Sequence, residues 1–348
     1  MTDKDFETLA TDLRARSKAL ADDNPRLRAR DLARLLDVSE AEWVAAGCTG
    51  VPAVALTGEP QAIFRELGTL GEVMALTRND HCVHERHGRY EDIQAQGPVG
   101  LVLGPDIDLR VFFSCWRSAW AVAQDGRHSL QFFDGAGVAV HKIYRTDATD
   151  VAAYDALVAR FAGTPEWPTP QPYAASTDAD HVGDDHAWRE AWLGMRDTHE
   201  FFPLLRKFKV TRLAALQAAG DDLAQRVPAD TAERMLASAA GSGLSIMCFV
   251  GNRGMIQIHT GPVGNLRRTG PWYNVLDPKF NLHLDTTAID SAWVVNKPTS
   301  DGWVTSLELY SSAGELIVQF FGERKPGRPE LPEWRALMSG FCRVPLAV

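Results

Sequence analysis

No run of ~20 apolar residues occurs anywhere in the 348-residue sequence, so a membrane-spanning helix is not expected. The opening stretch, MTDKDFETLATDLRARSKALADD, alternates charge with apolar side chains and lacks the apolar core of a signal peptide, which predicts a cytoplasmic protein. Cysteine is sparse: Cys48, Cys82, Cys115, Cys248 and Cys342 are scattered, odd in number and never in a CxxC pair. That pattern excludes a disulfide framework or zinc ribbon and fits reduced thiols. Positive charge is in deficit, with a formal net charge of −9, which disfavours a general nucleic-acid or anionic-membrane partner. No GxGxxG or GxxxxGK[ST] loop follows a strand and no GxSxG elbow occurs, so neither a nucleotide-binding α/β fold nor serine-hydrolase chemistry is supported.

What is present is an ordinary globular balance, 45% apolar and 23% charged, over a length that suggests two domains. Ten tryptophans imply broad flat surfaces, packed in a core or around a flat ligand. Positions then repeat at a fixed separation of 173: Ser118-Ala119-Trp120 and Ser291-Ala292-Trp293, Leu103 and Leu276, Pro105 and Pro278, Gly97-Pro98 and Gly270-Pro271, Ala45-Ala46-Gly47 and Ala218-Ala219-Gly220. A period this long makes each copy a domain and the chain a tandem duplication. The expected layout is an N-terminal helical extension (1–23), a first repeat (24–163), a Pro-rich linker (164–195) and a second repeat (196–348).

Each copy places helices before strands. LRARDLARLLDVSEAEWVAAG and VTRLAALQAAG carry apolar residues at helical spacing and end in Gly47 and Gly220, placed as C-terminal caps. LRVFF, SAWAVA, SLQFFDGAGVAVHKIY and WVTSLELYSSAGELIVQFFG alternate apolar and polar residues around Gly-containing turns, the signature of antiparallel hairpins. The predicted class is α+β, with two similar units, each a large antiparallel sheet with helices.

Three segments invite a functional reading. RARDLARLLDVSEAEWVAAG could pass for a helix-turn-helix, but its reading helix would turn Ser39, Glu40 and Glu42 toward phosphates, so two packed helices are the better account. In HCVHERH, His81, Cys82, His84 and His87 are possible metal ligands, yet a strand puts His81 and His87 about 20 Å apart with His84 on the other face; solvent-facing strand histidines are expected. RDTHEFFPLLRKFKVTR is different. Pro203 is tolerated only in the first turn of a helix, which sets His199 at the helix N-terminus, where the dipole favours the neutral imidazole that ligates metals. Phe201, Phe202 and Leu205 supply apolar surface, and Arg206, Lys207, Lys209 and Arg212 add cations to an acidic chain. His199 falls opposite Arg26 or Leu27 of the first copy, Arg110 opposite His283, and Phe112 opposite Asp285. Copies that share a scaffold and differ at these points suggest one asymmetric site, expected in the cleft between the halves.

RDTHEFFPLLRKFKVTR, GPVGLVLGPDIDLRVFF, TGPWYNVLDPKFNLHL and GELIVQFFGERKPGRPELPEWRAL resemble the HemS/HmuS/ChuS family of cytoplasmic hemin-transport and hemin-degrading bacterial proteins, over nearly the whole chain. The resemblance implies one heme (iron protoporphyrin IX) held between two α+β units. It makes His199 the proximal iron ligand, Arg110 the distal and catalytic residue, and Phe112 a porphyrin contact. Arg212, Lys297, Gln319 and Arg324 become contacts to the porphyrin and its propionates. The chemistry is consistent, since imidazole suits heme iron and guanidinium, always protonated, can donate but not ligate. Two functions follow from the resemblance: oxidative breakdown of heme to release iron, or carriage of heme from an inner-membrane importer to a separate heme oxygenase or store.

Overall fold

The computed structural model describes residues 3–325 and 327–348. The chain divides into two compact units. One comprises residues up to Arg78 together with Glu85–Ala174 and Gly251–Gln257; the other comprises Asn79–His84, Ala175–Val250 and Ile258–Val348.

The first unit opens with helices Asp3–Asp23, Ala29–Leu35 and Glu40–Ala45. Ser39 starts the third through a reciprocal capping box: its hydroxyl accepts the Glu42 N–H, and the Glu42 carboxylate accepts the Ser39 N–H at 2.8 Å. Gly47 closes this helix at φ +73°, and Gly220 closes its counterpart in the second unit at φ +94°, a backbone region open to glycine without steric cost. Five antiparallel strands follow in the spatial order Val54–Leu56, Trp116–Gln124, Arg127–Asp134, Ala139–Thr149 and Gly71–Arg78. A smaller run joins Ile93–Gln94, Val99–Leu103 and Asp108–Phe112.

The second unit repeats the plan element by element. Helices Asp185–Leu193, Phe201–Phe208 and Arg212–Ala218 come first. The strands then lie in the order Ala224–Val227, Ser291–Thr299, Gly302–Tyr310, Leu316–Gly322 and Ile246–Gly251, with Leu266–Thr269, Trp272–Leu276 and Phe280–Asp285 as the smaller run. Identical pairing order in both units is the duplication that the offset of 173 announces, and both are α+β.

In the second unit both faces of the sheet are covered. Leu307 and Leu309 enter one apolar core, while Tyr310, two residues on from Glu308, joins Trp188, Trp192, Phe201, Leu205 and Trp293 in another. Trp188 and Trp192 have no exposed surface and meet edge-to-face at 5.7 Å. Their indole N–H groups donate to the carbonyls of Ala215 and Asn296 at 2.9 and 3.0 Å. Such aromatic pairs add about 0.5–1.5 kcal/mol beyond burial. Phe201 packs on Trp192 at 4.9 Å, so the helix bearing Phe201 is pinned from below and the turn before it is fixed in place.

The two packed helices preferred to a helix-turn-helix are present, and one other sequence expectation changes. Glu40 is buried and bonded to Lys142, and Glu42 is taken up in its cap, so neither acid is presented as the helix-turn-helix alternative assumed. HCVHERH does lie mainly in a strand, Cys82–Gly88, but His84 is fully buried and packs against Phe280 with ring centroids 5.0 Å apart, rather than facing solvent. Among the described residues no cluster of His, Cys, Asp and Glu is arranged to hold a metal ion.

Candidate functional site

His199 lies in the single turn Thr198–Glu200 that leads into helix Phe201–Phe208, with Pro203 in the first turn as its missing N–H requires. Asp197 caps the turn. One of its oxygens, Oδ1, accepts the His199 backbone N–H at 2.8 Å and meets the ring Nδ1 at 2.6 Å. The imidazole is otherwise open, with 90% of its side chain exposed. The Asp197 carboxyl is held below its usual range, first by the His199 backbone N–H and also by the charge of Arg324. Of the apolar residues beside it, Phe201 and Leu205 are core, whereas Phe202 is exposed.

Arg212, Lys297 and Gln319 converge, and the residue they converge on is Glu308. The carboxylate has no exposed side-chain surface. Arg212 donates to it through Nε at 2.9 Å and Nη2 at 2.8 Å, Lys297 Nζ at 3.0 Å and Gln319 Nε2 at 2.9 Å. The hydroxyls of Ser306 and Tyr310 complete the set at 3.0 and 2.6 Å. Lys297, Glu308 and Gln319 come from three adjacent strands, and Arg212 from the first turn of helix Arg212–Ala218. Arg212 also lies over the Phe201 ring at 4.9 Å, and Lys297 over the same ring at 4.6 Å.

The electrostatics follow from burial. Burial opposes the Glu308 charge, but Arg212 and Lys297 overcome it and hold the carboxyl well below its ordinary range. Burial also opposes Arg212, which Glu308 keeps protonated. Lys297 fares worse: burial, with Arg212 beside it, brings its ammonium down to about 8 despite Glu308. Two buried cations share one bonded carboxylate, so one positive charge is left without a carboxylate of its own. Arg324 adds a further donor, since its Nε is buried with no hydrogen-bond partner among the described residues and its Nη2 lies 3.7 Å from Asp301.

The first unit has a buried ion pair at the matching station. There Trp120 faces Gln131, which faces Lys142; here Trp293 faces Glu308, which faces Gln319. In the first unit the acid, Glu40, comes from the helix and the cation, Lys142, from the strand. The polar station belongs to the repeat, whereas the convergence of two cations on Glu308 belongs to the second copy.

Arg110 and Phe112 lie in the first unit, two residues apart on strand Asp108–Phe112, so their side chains share a face with Asp108. Arg110 is paired with Asp108, whose carboxyl burial lifts above its usual range although Arg110 opposes the shift. Sequence reasoning missed Asp108, Asp197, Glu308 and Tyr310. The signals were D-x-R, D-x-H and the shared parity of Ser306, Glu308 and Tyr310; the last reads as an exposed polar stripe until the helices covering that face are known.

The profile of the haemin-degrading HemS/ChuX domain matches residues 37–161 and 209–341. The chain belongs to the HemS family. The hemin transport protein HemS of Yersinia enterocolitica is 42% identical over 90% of this chain and 92% of its own length. Among solved structures, apo- and holo-PhuS, described as a heme-binding protein from Pseudomonas aeruginosa, share 46% identity and a TM-score of 0.92, covering 95% of this chain and 99% of PhuS. ChuS, described as an Escherichia coli heme oxygenase, shares 38% identity and a TM-score of 0.86 over 94% of this chain and 99% of ChuS. The family segments include Arg110, Phe112, Arg212, Lys297, Glu308, Gln319 and Arg324, while Asp197 and His199 fall between the two.

Proposed function

We propose that the protein binds one heme through Nε2 of His199 and degrades it oxidatively, releasing iron, as a cytoplasmic step of bacterial heme-iron acquisition. One observation carries this reading: an exposed imidazole has one nitrogen tied to Asp197, in the same unit as a buried cation pair that exceeds its bonded carboxylate. Heme asks for those features, a neutral nitrogen for the iron and positive charge for its propionates. The Arg324 Nε, which has no hydrogen-bond partner among the described residues, suits a ligand oxygen, and five cysteines in no disulfide suit a reducing compartment. Relatives described as a hemin transport protein and a heme-binding protein support heme binding, and one described as a heme oxygenase supports its degradation.

The roles follow. His199 ligates the iron; Arg212, Lys297, Gln319 and Arg324 hold the propionates; Phe112 packs on the macrocycle. Bound heme supplies the redox iron. The Arg110 guanidinium would donate hydrogen bonds where negative charge develops as dioxygen is reduced.

Hemin added to the purified protein should give a shifted Soret band that His199→Ala abolishes or weakens. With an electron donor and catalase present, the band should then disappear with release of iron and formation of a linear tetrapyrrole. A complex that survives the reductant and passes heme intact to a separate oxygenase would replace degradation by carriage from an importer, the role that the name of HemS favours. An unchanged Soret spectrum and affinity in His199→Ala would remove the ligand assignment.

A further inference from the structure

We propose that Asp197 is the positioning residue of the iron ligand: its carboxylate fixes the His199 ring with Nδ1 as donor and so presents Nε2 as the free nitrogen. The inference rests on His199 being the ligand, as proposed above. Asp197 Oδ1 serves two donors of one residue, the backbone N–H at 2.8 Å and ring Nδ1 at 2.6 Å. The first contact seats the carboxylate as cap of the turn, and the second orients the ring from that seat. An ionised carboxylate only accepts, so the proton of a neutral ring belongs on Nδ1 and the lone pair on Nε2.

The ring needs such a device because, among the described residues, Asp197 alone bonds to it. With 90% of its side chain exposed, His199 has none of the packing that fixes the rotamers of Phe201 or Trp192. A ring free to turn would have to be ordered when the ligand binds, at a cost of about 0.5–1.5 kcal/mol for an immobilised side chain. The bond to Asp197 orders it beforehand. It also transfers negative character to the imidazole, making Nε2 the better donor to ferric iron.

The two copies separate this role from a general turn-capping one. At the separation of 173, or one less across the single gap, Asp197 falls opposite Asn24 or Pro25 and His199 opposite Arg26 or Leu27. Carboxylate and imidazole are present together in one copy and absent together from the other. The preceding polypeptide supports the same placement, since the Arg196 N–H donates to the Glu200 carboxylate at 3.0 Å and the Arg196 carbonyl accepts from Ser300 N–H at 2.8 Å. The backbone just before Asp197 is thus tethered independently of its side chain.

The test uses the full-length protein loaded with hemin, in wild type, Asp197→Asn, Asp197→Ala and His199→Ala forms. Asp197→Asn keeps a neutral cap, so thermal stability without hemin should stay near wild type. In the reduced complex the iron–imidazole stretch by resonance Raman should fall in frequency for Asp197→Asn and further for Asp197→Ala. Transfer of heme to an apo-globin scavenger should quicken by about 10- to 100-fold in Asp197→Ala. If both Asp197 variants keep the wild-type stretch and transfer rate while His199→Ala loses the imidazole stretch, the positioning role is wrong and the ligand assignment stands. If His199→Ala itself keeps the stretch, the ligand assignment fails first.

Discussion

Arg212 grips both oxygens of the wholly buried Glu308, Nε to Oε2 at 2.9 Å and Nη2 to Oε1 at 2.8 Å, and the same carboxylate holds Lys297. A buried ion pair adds little net stability, because desolvation offsets the attraction, but removing one partner strands the other in a dry site. Glu308→Ala would strand two cations. We expect a loss of about 3–5 kcal/mol in urea unfolding, with Glu308→Gln, which keeps an acceptor and its shape, losing less. An unchanged unfolding midpoint in Glu308→Ala would show that other groups hold the cations.

Lys297 makes the proposed propionate site pH-dependent. Its folded value of about 8 lies below the ordinary 10.5, so the ammonium loses its proton as pH rises through 8 and the excess positive charge goes with it. A bound carboxylate favours the protonated form, so hemin affinity should fall with rising pH above about 8, by at most tenfold per pH unit for one proton. Lys297→Met should bind hemin more weakly at pH 7 and lack this decline. Fluorescence-quenching titrations from pH 7 to 9.5 make the comparison. A parallel decline in the variant would assign it to another group.

The contrast between Glu308 and His199 shows what was legible in the sequence. The duplication, the α+β class, the helix caps at Gly47 and Gly220 and the helix start just before Pro203 are local or arithmetic properties, and the backbone follows them. The place of His199 at the start of its helix was legible because a histidine beside a first-turn proline is a local statement. Glu308 was not, because in a strand a glutamate between two leucines has the alternation of a solvent-facing residue. It becomes internal only when helices Asp185–Leu193 and Arg212–Ala218, distant in sequence, cover that face. His84 was misread for the same reason, since strand periodicity gives the face of a side chain but not what packs on it.

The matching station in the first unit supplies a control. Lys142 holds Glu40 below its usual range against the effect of burial, as Arg212 and Lys297 hold Glu308. Lys142→Met should therefore destabilise the first unit by about 3–5 kcal/mol. At temperatures where the variant is folded, hemin affinity should stay within about twofold of wild type, which a titration beside Lys297→Met will show. A loss in Lys142→Met as large as in Lys297→Met would mean that both stations serve the ligand.

A second buried network should weaken the first unit in acid. His141 is fully enclosed, with Tyr90 Oη 2.6 Å from Nε2 and Thr77 Oγ1 2.9 Å from Nδ1, a donor and an acceptor for the neutral ring. Burial brings its imidazole down to about 3 from the ordinary 6.5. Between those values the unfolded chain takes up a proton that the folded one refuses, so stability falls as pH drops below 6.5, by up to about 1.4 kcal/mol per pH unit from this group. His141→Gln should lower stability at pH 7 and flatten the slope between pH 6.5 and 4. Urea midpoints across that range decide it, and an equal slope in the variant would clear His141.

Arg110 tests the proposed oxidation as distinct from the proposed binding of heme. Its guanidinium is paired with Asp108, and on the proposed reading it contributes to the oxidative step rather than to ligand binding. Removing one donor from a site of developing negative charge typically costs about 10²- to 10³-fold in rate. Arg110→Ala should therefore lose at least 100-fold in reductant-driven heme breakdown while hemin affinity changes by less than tenfold. Arg110→Lys keeps the charge but not the planar fork, and should recover only part of the rate. Single-turnover decay of the Soret band, with product and iron measured separately, distinguishes the outcomes. Equal loss of affinity and rate would place Arg110 in binding alone, and an unchanged rate would remove it from the reaction.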